Sequence, residues 1–297
     1  MKILFMGTPD YAEIILDSLI KNDFNIVGVY TQPDKPVGRK QILTPPPVKK
    51  LAQQYQIPVF QPTTLQGELA NIKELKPDFI VVAAFGMILP KEILEYTPCI
   101  NLHASLLPKY RGASPIQSSI LNKDKWTGIT AMLMNEGLDT GDILGFEYIE
   151  VGDKTAPQLF EELAKIASDL TIFVLNNFSK IEPLRQNSVL TSYSPKIKKE
   201  DGFIEFKDAN TIYRKYLAFY YWPQIWTTKF KIKKLSLVDS TTKNRAGEIL
   251  EIKKDSIIVG CEKGKIEIFE LQPISKKVMN VIDYLNGRGL KVGDNLL

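Results

Sequence analysis

The chain has 297 residues, a formal net charge of +4, one histidine and two cysteines. This length suits one large or two ordinary domains, and we expect two. The cysteines, Cys99 and Cys261, stand far apart, which argues against a disulfide framework and for a reducing cytoplasm. A zinc site needs more His and Cys ligands than the chain supplies. No apolar run reaches membrane-spanning length, and we expect a protein with neither leader nor membrane contact.

The charge is unevenly distributed along the chain. Residues 1–190 carry 18 basic and 21 acidic residues, a net charge of −3, whereas residues 191–297 carry 20 and 13, a net charge of +7. A basic C-terminal third is typical of a domain that contacts a polyanion, although a solvated lysine surface would look the same.

The opening residues predict a strand, a helix and a second strand over 2–6, 10–22 and 25–30, which is the βαβ unit of a parallel sheet. The loop after the first strand has one glycine where a dinucleotide-binding fingerprint needs three, so a nicotinamide or flavin site is rejected here. The expected fold is an α/β domain with a Rossmann-like, mostly parallel sheet, followed by a small β-barrel domain.

A long connection with five prolines follows the second strand, reading TQPDKPVGRKQILTPPPV over 31–48. A loop of this length inside a compact domain is usually functional or disordered. Its basic residues favour contact with an anion, while the alternative is a mobile, solvated loop. These basic residues are Lys35, Arg39 and Lys40.

Further alternation of helices and strands is predicted up to the centre of the chain. The continuous apolar run FIVVAA predicts a buried strand in the middle of a parallel sheet. The loop after it, FGMILP at 85–90, is apolar; it suits a flat aromatic ligand and equally suits packing on the next helix.

The only histidine lies in CINLHASLLPKYRGASP at 99–115, two positions after an asparagine. If 99–103 is a strand, Asn101 and His103 project from one face. Their Cα atoms are then about 7 Å apart, since a strand rises about 3.3 Å per residue. Pro108 ends the strand, so both side chains lie at the carboxyl edge of the sheet, where ligands bind. The alternative is a histidine whose hydrogen bonds are satisfied in the core.

Beyond this stretch, the periodicity fades into a predicted linker and then returns as short strands. Strands over 127–134 and 143–151 and a helix over 155–178 precede the linker, whose end is basic. Short strands between 228 and 272 suggest an OB-type barrel, with an SH3-like barrel as the alternative. In KFKIK, lysines alternate with apolar residues, so one strand face presents a row of cations. The cations of these two segments are Lys196, Lys198, Lys199, Lys229, Lys231 and Lys233.

Asn101, His103 and a loop carboxylate such as Asp139 form a set suited to acyl transfer. An amide and an imidazole can stabilise a carbonyl oxygen as it gains negative charge, and a carboxylate can orient the imidazole and accept a proton from an attacking amine. Ser105 and Cys99 are weaker candidates because their predicted positions do not suit nucleophilic attack beside the imidazole.

These residues carry a family resemblance. NLHASLLPKYRG at 101–112 and LDTGD at 138–142 resemble the formyltransferases that use 10-formyltetrahydrofolate. GTPDYA, TQPDKPVGR, AAFGMILP and RGASPIQ, together with the basic β domain, are similar to the methionyl-tRNA formyltransferase family from end to end.

The resemblance implies transfer of a formyl group from 10-formyltetrahydrofolate to the amino group of initiator methionyl-tRNA, for translation initiation. It implies that Asn101, His103 and Asp139 are catalytic and that the loop around Arg39 reaches the tRNA acceptor stem. This chain has Gly-Arg-Lys-Gln where the family often has Gly-Arg-Gly-Lys-Lys, so its loop is shorter and carries fewer cations. The folate site would be lined by Ser105, Leu106, Leu107, Pro108, Phe85, Gly86, Ile88 and Leu89.

The expected organisation is a catalytic domain over 1–189, a linker over 190–207 and a tRNA-binding domain over 208–297. We expect a cytoplasmic monomer that uses no metal. The rival enzyme is a formyltransferase acting on a nucleotide-linked amino sugar, or a formyltetrahydrofolate hydrolase, because either would share the catalytic trio. A non-catalytic tRNA-binding protein would leave that trio without a purpose.

Overall fold

A computed structural model of the chain describes residues 1–38 and 40–297. By their contacts, the described residues divide into two units. The first comprises 1–115, 126–150 and 159–194; the second comprises 116–125, 151–158 and 195–297.

The elements alternate between strand and helix in the first half of the chain. Over residues 2–177, they are β1 (Lys2–Gly7), α1 (Asp10–Lys21), β2 (Asn25–Tyr30), β3 (Lys35–Val37), β4 (Ile42–Thr44), α2 (Pro47–Gln54), β5 (Val59–Phe60), α3 (Leu69–Leu75), β6 (Phe79–Ala83), α4 (Lys91–Leu94), β7 (Cys99–His103), β8 (Arg111–Gly112), α5 (Pro115–Leu121), β9 (Trp126–Leu133), β10 (Ile143–Glu150) and α6 (Ala156–Asn177).

Strands dominate the remainder of the chain. Over residues 193–286, the elements are β11 (Tyr193–Ser194), α7 (Ala209–Ala218), β12 (Ile225–Trp226), β13 (Phe230–Asp239), β14 (Ile249–Ile252), β15 (Ile257–Gly260), β16 (Lys265–Pro273), β17 (Met279–Asn280) and α8 (Val281–Asn286), with short 3-10 turns at Phe178–Lys180, Ser188–Leu190 and Lys199–Gly202.

The main sheet of the first unit has the order β10-β9-β7-β6-β1-β2-β5 among the described residues. From β5 to β7 all neighbours pair in parallel, while β9 and β10 pair antiparallel. The predicted mostly parallel α/β sheet is therefore confirmed. β6 is buried along most of its length, as its unbroken apolar sequence predicts.

The chain order reverses at β1, which pairs with β2 on one side and with β6 on the other. In open α/β sheets, such a reversal leaves a crevice beyond the carboxyl ends of the strands. The loops that follow β1, β6 and β7 all emerge at this edge. The fold thus brings Thr8, the apolar loop 85–90 and the turn after His103 to one edge of the sheet.

The Pro-rich connection forms a short hairpin that the sequence did not predict. Lys35 pairs with Thr44 and Val37 with Ile42 in the β3–β4 ladder. Arg39 lies outside the described residues. At the base of the hairpin, the Lys49 ammonium hydrogen-bonds both carboxylate oxygens of Asp34 at 2.9 Å, and this bond holds the pKa of Asp34 below its usual value.

The second unit contains an antiparallel sheet, so the predicted small β domain at the C-terminal end is confirmed. Its described strands follow the order β12-β13-β16-β15-β14, and β17 pairs with β16. Phe230 and Ile232 of β13 are 1% and 2% exposed and pack in the core of this unit with Tyr284 of α8. Lys231, between them, points the other way and is half-buried. The predicted alternation of cations and apolar residues along this strand is confirmed.

Candidate active site at the end of strand β7

Asn101 and His103 lie on the same face of β7, because side chains two apart in a strand point the same way. Asn101 is half-buried, and its carboxamide makes no hydrogen bond to any residue that the structure describes. His103 is only 7% exposed. A half-buried amide without a protein partner is available to bind a ligand beside the imidazole.

The imidazole of His103 lies between a carbonyl and a carboxylate. Its Nε2 is 2.9 Å from the carbonyl oxygen of Tyr110, and its Nδ1 is 3.7 Å from Oδ2 of Asp139. A carbonyl oxygen only accepts, so Nε2 carries the hydrogen of this bond. The Nδ1–Oδ2 separation is too long for a hydrogen bond, so both atoms keep bonding capacity for a third group between them.

The carboxylate of Asp139 is fixed by the backbone. Its Oδ2 accepts a hydrogen bond from the backbone N–H of Gly112 at 2.8 Å, and Asp139 has a φ of 52°. Gly112 has a φ of +114°, and a Cβ there would lie 2.6 Å from the carbonyl oxygen of Ser194. Only glycine fits this close approach, which brings the donor N–H to the carboxylate.

The turn after His103 is stabilised by buried hydrogen bonds. The hydroxyl of Ser105, fully buried, donates to the carbonyl of Lys109 at 2.6 Å. Thr130 of β9 donates to the carbonyl of Ser105 at 2.7 Å and accepts from the backbone N–H of Leu107 at 3.1 Å. These bonds satisfy the polar groups of the turn internally, so its shape does not depend on a ligand.

The predicted folate-lining residues divide into buried and accessible groups. Ser105, Leu107, Phe85 and Leu89 are buried. Leu106 and Pro108 are half-buried, Gly86 is exposed, and Ile88 is 91% exposed. An aliphatic side chain as exposed as Ile88 is unusual in a loop whose other residues pack in the core.

The apolar loop is linked to the loops after β1 and β2. Thr8 donates to the carbonyl of Phe85 at 3.1 Å, and the side-chain amide of Gln32 donates to the same carbonyl at 3.0 Å. Lys35, at the base of the hairpin, donates in turn to the side-chain carbonyl of Gln32. A chain of polar contacts thus joins the hairpin to the apolar loop.

A residue that the sequence did not identify, Gln186, supports the carboxylate loop. Its amide nitrogen donates to the carbonyls of Asp139 and Gly141 at 2.9 and 2.7 Å. Its carbonyl accepts from Nη2 and Nε of the buried Arg111 at 2.7 and 3.1 Å. One side chain therefore connects the loop that carries Asp139 to the strand that follows the histidine turn.

Ser192 and Ser194 stabilise the turn from the same segment. The backbone N–H of Tyr110 donates to Oγ of Ser192 at 3.0 Å. Oγ of Ser194 lies 3.2 Å from the carbonyl of Tyr110, the group that also accepts from His103. β11 pairs in parallel with β8 beside them. The segment 186–194, which shows no sequence periodicity, supports both halves of the site.

The predicted tRNA-binding cations are spread over surfaces of both units. Lys35, Lys40, Lys196, Lys198, Lys199 and Lys229 are exposed, and Lys231 and Lys233 are half-buried. Arg39 is not among the described residues, and its predicted role stays a prediction.

The chain matches two family models. The model described as "Formyl transferase" matches residues 1–175, and the model "Formyl transferase, C-terminal domain" matches residues 196–289. A methionyl-tRNA formyltransferase from a Nitratiruptor species is 54% identical over 300 residues, covering 99% of each chain. One from Sulfurimonas denitrificans is 53% identical over 301 residues, covering all of both chains.

The chain belongs to the methionyl-tRNA formyltransferase family. The predicted family and the predicted enzyme class, a formyl-group transferase, are therefore confirmed. A solved structure of similar fold is an N-formyltransferase from Helicobacter canadensis in complex with folinic acid and dTDP-3-aminofucose. It has a TM-score of 0.70 and 22% identity, over 92% of this chain and 99% of that one.

No described helix is both long enough and apolar enough to cross a membrane. Within residues 1–38 and 40–297, no group of three His, Cys, Asp or Glu side chains is arranged to hold a metal ion.

Proposed function

We propose that the enzyme transfers the formyl group of 10-formyltetrahydrofolate to the free amino group of initiator methionyl-tRNA, with Asn101, His103 and Asp139 as the catalytic residues. The full-length relatives support the activity. The observation that carries the residue assignment is the face of β7, where an unpartnered amide lies beside an imidazole that faces a carboxylate at 3.7 Å.

Asn101 stabilises the formyl oxygen as negative charge develops on it. Its carboxamide N–H groups have no competing acceptor in the described protein, so no internal bond has to break when the substrate arrives. A positioned donor of this kind acts most strongly in the transition state, where the oxygen carries more charge than in the substrate.

His103 and Asp139 act as a pair on the attacking amine and the carbonyl. Asp139 accepts the proton that the amine loses as its nitrogen bonds to the formyl carbon, and that proton returns to the folate nitrogen as the old bond breaks. His103 acts through Nδ1, because Nε2 is already bonded to the Tyr110 carbonyl. Tyr110 thereby fixes which imidazole atom faces the reaction.

The formyl donor binds at the carboxyl edge of the sheet. 10-Formyltetrahydrofolate supplies the activated formyl group and a flat pterin ring. The exposed Ile88 and Gly86 and the half-buried Leu106 and Pro108 offer it an apolar surface. Gly86 has a φ of +78°, and a Cβ there would lie 2.5 Å from the Gln32 amide, so the loop needs glycine at this position.

The tRNA is held by the Pro-rich connection over 31–48, which includes Arg39, and by the cations of the C-terminal domain, for which the sequence predicts a linker over 190–207 and a binding domain over 208–297. The hairpin presents Val37, Ile42 and Leu43 at 56%, 61% and 64% exposure. An exposed apolar patch of this kind is typical of an interaction surface, and the neighbouring lysines can contact phosphates. We assign the enzyme to the cytoplasm as a monomer, which size-exclusion chromatography with light scattering would test.

The alternative function is formylation of a nucleotide-linked amino sugar. The Helicobacter canadensis structure favours it only at the level of fold, because that protein is 22% identical to this chain. The two relatives described above, at 54% and 53% identity, are both named for methionyl-tRNA.

A formylation assay with two acceptors tests the proposal. The purified enzyme is given 10-formyltetrahydrofolate and either charged initiator tRNA or a nucleotide-linked amino sugar, and each reaction is repeated without the donor. We expect a formylated product only in the reaction that contains both methionyl-tRNA and 10-formyltetrahydrofolate, and none with the amino sugar. Formylation of the sugar and not of the tRNA would contradict the proposal and support the alternative.

A further inference from the structure

The second unit holds a pocket that the proposed catalytic steps do not use. It has a volume of about 340 Å³ and lies between the end of α7, the turn that follows it, and the adjacent strands β13 and β16. That volume falls within the range of small-ligand sites. Its walls combine aromatic rings, an ammonium group, an amide and a carboxylate.

Three tyrosines form the aromatic wall. The rings of Tyr216 and Tyr220 have centroids 5.8 Å apart at 63°, and those of Tyr220 and Tyr221 are 5.6 Å apart at 73°. Tyr220 is 41% exposed and Tyr221 is 75% exposed. Exposed rings that hold one another edge to face offer a fixed surface on which a flat ring can stack.

Lys231 and Lys233 supply positive charge at the pocket. Lys231 Nζ lies 3.4 Å from the side-chain carbonyl of Gln224, which lines the pocket with Lys233. Burial and the neighbouring Lys231 lower the pKa of Lys233, while Glu270 acts in the opposite direction. In the part of the chain that the structure describes, neither ammonium has a carboxylate within 4.0 Å. An anion bound here would offset the repulsion between the two lysines.

Glu270 and Gln224 can form hydrogen bonds with the polar edge of a flat ring. A carboxylate only accepts hydrogen bonds, so Glu270 favours a ring edge that carries an amino group. Cytosine presents an amino group where a base such as thymine presents a carbonyl. The pocket therefore combines the three features that a nucleotide requires: a stacking surface, a cation for the phosphate and a polar edge contact.

We propose that this pocket binds an unstacked, amino-bearing nucleobase of the RNA substrate, with the ring against Tyr220 and Tyr221 and the neighbouring phosphate on Lys231 and Lys233. The inference rests on the proposed function, which makes RNA the partner of this unit. It adds a base-binding site to a surface for which the sequence indicated cations alone.

The test uses the full-length enzyme, steady-state formylation of methionyl-tRNA and the binding of fluorescently labelled cytidine and uridine octamers. The variants are Tyr221→Ala and Glu270→Gln. Tyr55→Ala is the matched control, because Tyr55 is 47% exposed at the end of α2 in the other unit. Tyr221 is so exposed that its removal leaves the fold intact, and thermal melting checks this.

We expect Tyr221→Ala to raise KM for methionyl-tRNA at least about 5-fold, with kcat unchanged. One base stacked on an aromatic ring increases binding affinity by about this factor or more. Wild type binds the cytidine octamer more tightly than the uridine octamer, and Glu270→Gln loses this preference. If Tyr221→Ala behaves like Tyr55→Ala, or wild type shows no preference, the pocket proposal is wrong. If wild type does not formylate methionyl-tRNA, the proposed function itself is wrong.

Discussion

The histidine turn and the β3–β4 hairpin are both assigned to substrate binding, yet they are built in opposite ways. Ser105, Leu107 and Tyr110 of the turn are buried, and its backbone groups bond to the hydroxyls of Ser105, Thr130 and Ser194. The hairpin exposes more than half of each of Val37, Ile42 and Leu43. Two of the proposed catalytic side chains, those of His103 and Asp139, are held by hydrogen bonds before substrate arrives, while the exposed apolar side chains of the hairpin have little internal support.

The largest effects are expected at the unpartnered amide of Asn101 and at the carboxylate of Asp139. Asn101→Ala should lower kcat about 100-fold or more, because the residue that donates to the oxyanion is removed. This corresponds to a loss of about 2.7 kcal/mol of transition-state stabilisation. Asp139→Ala should lose at least as much, and Asp139→Asn isolates the charge because asparagine tolerates the positive φ. Stopped-flow or steady-state kinetics at saturating substrates measure it. Asn122→Ala, an exposed asparagine, is the control; a near-normal kcat in either variant excludes the assigned role.

A smaller loss is expected when the support of the carboxylate loop is removed. Gln186→Met should lower kcat about 10-fold, or about 1.4 kcal/mol, with KM for both substrates unchanged, since the residue positions Asp139 without touching substrate. Gln186→Glu keeps the acceptor for Arg111 but loses the two donor bonds. Gln186→Glu should therefore show the same loss of kcat as Gln186→Met. Full activity in Gln186→Glu would show that catalysis depends on the contact to Arg111 and not on the two bonds to the loop that carries Asp139.

The hairpin should respond in binding alone. The double substitution Ile42→Ser with Leu43→Ser should raise KM for methionyl-tRNA several-fold, while kcat at saturation stays constant. The free energy of unfolding should change by less than about 0.5 kcal/mol, because both side chains are exposed. Ile274→Ser, at 66% exposure in the other unit, is the control. A large loss of stability would show that the hairpin is packed and would remove the contrast with the turn.

The smallest effect separates structure from ligand contact within the turn. Ser105→Ala removes a buried hydroxyl that donates to Lys109, and it should lower the free energy of unfolding by about 1 kcal/mol. KM for 10-formyltetrahydrofolate should change less than about 2-fold. Urea unfolding and steady-state kinetics measure the two quantities. A strong rise in KM without loss of stability would instead make Ser105 a ligand contact.

The sequence was sufficient wherever local periodicity carried the information. The alternation of CINLH placed Asn101 and His103 on one face, and the apolar run of β6 marked the middle of the sheet. The hairpin was missed because five prolines in the connection favour a loop over strands. Pro36 lacks the N–H that a ladder bond needs, and it is tolerated in β3 because that strand lies at the edge of its own small sheet.

The supporting residues could not be read from the sequence. Gln186 contacts residues 45 and 47 positions before it, and Ser194 contacts Tyr110 across 84 positions. No periodic pattern connects such distant residues, and a segment rich in serine, such as 186–194, is typical of a linker. The polar character that suggested a linker is the same property that lets these side chains bond the turn.

The segment 186–194 has a practical consequence for the smallest active fragment. The "Formyl transferase" match ends at residue 175, and a fragment cut there would retain Asn101, His103 and Asp139. It would nevertheless lack Gln186 and the edge strand that pairs with β8. A minimal catalytic truncation should therefore extend at least through Ser194.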